Sequence, residues 1–119
     1  MDLNTVMAAI KAHPDYDKAG MVLYHNGIVR STSRDGRAVT GLRVQVDYQR
    51  LAKVVSEYRQ RPGIVDIQVK IAADRDLAVG DDVMFLAVAG DIRENVIATL
   101  TDALNAIKAT VTDKTEFFT

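Results

Sequence analysis

Hydrophobic positions recur along this chain in two rhythms, and the switches between them mark the elements. Leu3, Val6, Met7 and Ile10 fall on one helical stripe, and Asp2 stands where it can cap the helix start. His13-Pro14-Asp15 ends that helix, because the residue before a proline is pushed out of helical geometry. Met21-Val22-Leu23-Tyr24 predicts a buried strand that runs on towards residues 27–30, and the polar stretch 31–36 predicts a mobile turn. Alternation resumes over residues 39–47, with Val39, Leu42, Val44 and Val46 inward or paired and Gly41 a candidate bulge.

Asp47 is set to cap a second helix with Leu51, Val54, Val55 and Tyr58 on one face, and Arg61-Pro62-Gly63 stops it. Ile64, Ile67, Val69 and Ile71 mark the next strand. Residues 74–82 read as a charged loop containing Val79-Gly80-Asp81. Residues 83–89 are almost unbroken apolar sequence, which suits a strand covered on both faces. The last helix has the clearest pattern. Asp91 and Glu94 form an Asp-x-x-Glu capping box, and Ile92, Val96, Leu100, Ala103, Leu104 and Ile107 follow at helical intervals. The tail, residues 111–119, is polar until Phe117 and Phe118. That leaves two readings open, docking on the core or a partner and a disordered end. The order helix, strands, helix, strand, strand, helix predicts one α+β domain over residues 1–119, with three helices and a mixed or antiparallel sheet.

Composition narrows the function classes. At 119 residues, 48% apolar and 26% charged, the chain is long enough for one real core and has ordinary globular chemistry. A formal net charge of −1, with no long run of one sign, argues against a dedicated nucleic-acid binder. It leaves room for a local basic pocket. Cysteine is absent, so there is no disulfide, no thiolate metal site and no cysteine nucleophile. Any sulfur chemistry must use sulfur carried by another molecule. His13 and His25 are isolated and lack the spacing of a metal site. No apolar stretch approaches the roughly 20 residues that span a bilayer. The amino terminus lacks a signal core, and a cytoplasmic location is the default expectation.

Two cations stand in recognisable settings. Arg30 ends Gly27-Ile28-Val29-Arg30, between an apolar run and a polar turn, and Lys108 lies near the end of the long last helix. Ala38-Val39-Thr40-Gly41-Leu42 follows, then a helix over 49–59, a loop ending in Val79-Gly80-Asp81, the apolar run 83–89, and Arg93 opening the helix that carries Lys108. In this order and spacing, residues 19–108 resemble the large, catalytic subunit of molybdopterin synthase. The resemblance implies an α/β hammerhead fold and a homodimer within a heterotetramer, with a small ubiquitin-like carrier at each outer end. That carrier brings sulfur as a thiocarboxylate on its carboxyl-terminal Gly-Gly. The reaction implied is insertion of sulfur into cyclic pyranopterin monophosphate in molybdenum cofactor biosynthesis, with no metal or organic cofactor held by the protein.

By this resemblance Lys108 is the catalytic lysine, and Arg30 and Arg93 bind the anionic substrate, with Lys114 a further candidate near a second family lysine. The chemistry suits the residue types. An ammonium can hold a thiocarboxylate, stabilise an oxyanion or move a proton, and a guanidinium binds phosphate through two parallel hydrogen bonds. Taken alone, a lysine near a helix carboxyl terminus is a solvated cation favoured by the dipole. Arg34 and Arg37 read as decoration of a solvated turn, or as a basic rim around Arg30. The chain departs from the family pattern in three places. Ile92 replaces a histidine before Arg93, Ala72-Ala73-Asp74-Arg75 lacks the charged-loop histidine, and the tail lacks the proline-aromatic setting of the second lysine. A diverged, non-catalytic pterin- or carrier-binding module is therefore the alternative. Arg93 and Lys108 are fifteen positions apart, about 22 Å along a straight helix. If both serve one site, they must come from two subunits.

Overall fold

In the computed structural model, which describes residues 1–119, the apolar run of residues 83–89 lies at the centre of the larger sheet. The elements in chain order are α1 (Leu3–Lys11), a 3₁₀ turn (Tyr16–Lys18), β1 (Met21–Ile28), β2 (Val39–Val46), α2 (Tyr48–Arg59) and β3 (Ile64–Ile71). They continue with β4 (Asp76–Ala78), β5 (Asp82–Gly90), α3 (Arg93–Thr110) and β6 (Thr112–Phe118). One antiparallel sheet has the order β1-β5-β3, and a second has the order β4-β2-β6.

Strand β5 is apolar from Val83 to Ala89, and both of its faces are covered there. Successive side chains point to opposite sides. Leu86 and Val88 join Val54 of α2 and Val96 and Ile107 of α3, while Phe85, Ala87 and Ala89 pack with Val6 and Ile10 of α1. Each fully buried aliphatic side chain of this kind stabilises the fold by about 1.5–3 kcal/mol relative to exposure. The second sheet closes over a smaller cluster of Val29, Leu42, Val44, Ala72 and Leu77. Val46 and Ile71 touch both clusters and join them. The resulting molecule is elongated, 48 × 25 × 24 Å.

The local signals hold for most elements. Asp2 and Asp47 cap α1 and α2 by accepting from the Asn4 and Arg50 backbone N–H groups at 2.9 and 3.0 Å. Gly41 marks a register irregularity between β2 and β6. There the Leu77 carbonyl approaches so closely that a Cβ would overlap it. Gly63 adopts φ of 81° just after the Arg61-Pro62 stop.

Three expectations are corrected. The capping box at Asp91 and Glu94 does not form: Ile92 is the residue before the helix, and Asp91 instead accepts from the Ile92 N–H and the Asn95 amide at 2.7 and 2.9 Å. Residues 74–82 are not all loop, since β4 pairs with Gly41, Leu42 and Arg43. The tail is neither frayed nor merely docked, because β6 pairs with β2 along most of its length. The turn of residues 31–36 is also densely bonded. Thr32 bridges Ala38, and the buried Ser33 bonds both Asp35 and the Arg37 backbone.

Candidate functional site

Where the two sheets meet the end of α3, the surface opens into a cavity of about 450 Å³. Its apolar wall comes from both sheets and includes Leu42, Val44, Ile71, Val83 and Met84. Polar groups reach it from four directions: His25 from β1, Arg34 from the turn before β2, Lys108 from α3, and Asp113 and Lys114 from β6. No helix is long and apolar enough to cross a membrane.

Lys108 lies in the last turn of α3, where unpaired helix carbonyls favour a cation. Buried Ile107 and Val111 on either side anchor that turn in the main core. Lys108 makes no ion pair within the chain. Lys114 stands 3.8 Å from Glu116, two residues along the same face of β6. The partly buried His25 titrates below its ordinary range, chiefly because burial disfavours the charged ring and secondarily because the Lys108 ammonium repels it. At neutral pH this imidazole is neutral, with one nitrogen free to accept a proton.

Lys108 and Lys114 therefore share one cavity, whereas Arg30 and Arg93 lie outside its lining. Arg30 is exposed, and its Nε donates to the Thr32 carbonyl at 2.9 Å. Arg93 sits at the far end of α3 with its side chain 79% exposed, 3.3 Å from Glu94. Sequence reasoning set His25 aside as isolated and left Arg34 either on a solvated turn or on a basic rim around Arg30. It missed Thr112 and Asp113 as lining residues because it missed β6. The signal was present in the β-branched and aromatic residues Val111, Thr112, Thr115, Phe117 and Phe118.

The family model described as MoaE protein matches residues 1–110. Among solved structures, molybdopterin cofactor biosynthesis protein E from Burkholderia multivorans superposes with a TM-score of 0.78. It is 26% identical, with 100% of this chain and 82% of that one covered. Molybdopterin synthase from Staphylococcus aureus gives a TM-score of 0.74 at 21% identity, covering 87% of this chain and 77% of that one. A complex of subunits 1 and 2 of molybdopterin-converting factor from Helicobacter pylori gives 0.74 at 15% identity, covering 99% and 84%. No curated protein sequence matches. A family match over almost the whole chain and a shared α+β architecture make this protein a member of the MoaE family, the large subunits of molybdopterin synthase, with a role in molybdenum cofactor biosynthesis.

Proposed function

We propose that this chain is the sulfur-transferring large subunit of a cytoplasmic molybdopterin synthase. Its partner is a small ubiquitin-like carrier ending in a Gly-Gly thiocarboxylate, and its substrate is cyclic pyranopterin monophosphate. The observation that carries this reading is the meeting of Lys108 and Lys114 with neutral His25 in one cavity that has an apolar wall. An apolar wall suits a flat heterocycle, and the ammonium groups suit the phosphate and the thiocarboxylate.

In this reading the Lys108 ammonium binds the thiocarboxylate and stabilises negative charge as sulfur leaves the carrier for the pterin. Lys114 adds positive potential at the same mouth. The Helicobacter pylori structure is a complex of two subunits, which supports a small-subunit partner here. Arg30 flanks the cavity turn as a further anion contact. Arg93, at the opposite end of the helix from Lys108, contributes from the second copy of a homodimer, since one helix cannot bring both to a small substrate. The reading requires no resident metal or organic cofactor.

The test is reconstitution with thiocarboxylated carrier and cyclic pyranopterin monophosphate. Wild-type protein forms molybdopterin, and Lys108→Ala lowers turnover by about 10²–10⁴-fold, the range for a charged group acting in the transition state. Because Lys108 is exposed, its removal shifts stability by no more than about 0.5 kcal/mol. One observation favours a second reading, a non-catalytic pterin- or carrier-binding module: Ile92, where the family carries histidine, is an exposed aliphatic residue. Binding of carrier or pterin without any turnover would establish that module and exclude the enzyme.

A further inference from the structure

The turn between β1 and β2 carries the cavity's only guanidinium. Arg34 lines the cavity, whereas Arg30, four residues earlier, is tied to the Thr32 carbonyl and does not. Arg34 takes part in none of the chain's ion pairs, and Lys108 is likewise unpaired. The third cation, Lys114, has Glu116 beside it. Unlike the chain's paired arginines, then, Arg34 faces a concave surface with its hydrogen-bonding fork unused. The cavity is lined by three cations, Arg34, Lys108 and Lys114, against the single carboxylate of Asp113, and this local positive excess suits an anion from outside.

The turn that presents Arg34 is built. Asp35, the nearest carboxylate in sequence, is already engaged: it accepts from the Ser33 hydroxyl, and from the Arg37 backbone and Nε at 3.2 and 2.9 Å. The Arg37 guanidinium lies over the Phe118 ring, 3.8 Å from its centroid. Phe118 belongs to β6, the strand that also carries Lys114. The stack therefore fastens the turn to the strand that carries Lys114, alongside the Thr32–Ala38 bridge and the Val39–Phe118 pairing. Gly36, at φ of 86°, closes the turn in a conformation that other residues rarely adopt.

We propose that Arg34 is the phosphate-binding residue of this cavity, and that Arg37 and Phe118 are positioning residues that hold its turn in place. A planar guanidinium grips two phosphate oxygens at once, which leaves the Lys108 ammonium free for the carrier's tail. The assignment rests on the synthase reading for its substrate. It does not rest on that reading for the binding of phosphate itself.

Two measurements test it separately. The first is titration of the intact protein with inorganic phosphate, followed by NMR. Arg34→Ala weakens binding about tenfold, the loss of a charge-assisted pair, and Arg34→Lys recovers part of it. The second is steady-state kinetics in the reconstituted synthase. Arg34→Ala raises the KM for the pterin about tenfold with a smaller change in kcat, the mark of lost ground-state binding. Phe118→Leu moves KM the same way by a smaller factor, and Phe118→Tyr, which keeps the stacked ring, restores it. Wild-type protein that binds no phosphate, or binding that Arg34→Ala leaves within about twofold, overturns the proposal. Phosphate binding through Arg34 in a protein that transfers no sulfur keeps this assignment and removes the synthase reading.

Discussion

His25 on β1 and Lys108 at the end of α3 face the same cavity, and burial together with the Lys108 charge keeps the imidazole unprotonated at neutral pH. The relationship joins an edge strand of the larger sheet to a helix on its face. It has a direct consequence for pH. The folded chain binds fewer protons than the unfolded chain between the lowered His25 value and the ordinary 6.5. The His25 contribution to stability is therefore complete above 6.5 and is lost as pH falls through the lowered value. A histidine titration followed by NMR should give a midpoint below 6.5 for His25. Lys108→Met should move that midpoint upward, but not all the way, because burial is the larger cause. A His25 midpoint that ignores Lys108→Met would separate the two residues.

Mixing two inactive variants tests the two-subunit site. Lys108→Ala and Arg93→Ala, co-refolded in equal amounts, pair at random into homodimers and mixed dimers. Each mixed dimer holds one intact site and one doubly damaged site, so about a quarter of wild-type activity returns. If no activity returns, Arg93 does not serve the Lys108 cavity across an interface.

Asp66 supplies the clearest stability prediction. Its carboxylate is 6% exposed, 3.3 Å from Arg59 of α2, and it also accepts from the Ile67 N–H and the Gln68 amide at 2.8 and 2.9 Å. Arg59 also donates to the Ile67 carbonyl at 2.6 Å, so one side chain fastens α2 to β3. Arg59→Met strands a buried charge and should cost about 1–3 kcal/mol in urea unfolding, less than a fully buried pair because Arg59 is 45% exposed. A midpoint unchanged from wild type would show the tether to be solvated.

Gly41→Ala drives a methyl group into the Leu77 carbonyl, which belongs to the β4 backbone and cannot move aside alone. The expected cost is about 1–3 kcal/mol, with amide exchange rising first at Ala78, the partner of Gly41 in β4. Uniform destabilisation without selective exchange at β4 would place the strain elsewhere.

Much of the fold is legible in the chain because its signals are local. The stripe of Leu3, Val6 and Ile10, the caps at Asp2 and Asp47, the Gly41 irregularity and the two-faced apolar run of β5 each depend on residues close in sequence. Where the reading failed, a distant partner decided the outcome. The polar segment of residues 112–118 is a strand because β2 offers an open edge, and the short Asp76–Ala78 pairs with that same strand. The expected capping box at Asp91 gave way to a bond with the Asn95 side chain. Local pattern cannot weigh such competitors, because their energies come from groups brought near only by folding.

The same division runs through the site. Lys108 could be singled out only because the order of elements around it resembles the synthase family; taken alone it reads as a solvated lysine at a helix end. That it shares a cavity with His25, Arg34 and Lys114, while Arg30 and Arg93 lie outside, depends on how two sheets close against the end of α3. Sequence alone determined most of the elements, β4 and β6 excepted, through hydrophobic period, capping and composition, and its resemblance to the synthase family singled out Lys108, Arg30 and Arg93. Tertiary structure decided which of those cations meet. Burial, charge and pairing act through space, and residues far apart along the chain become neighbours only when the strands between them are paired.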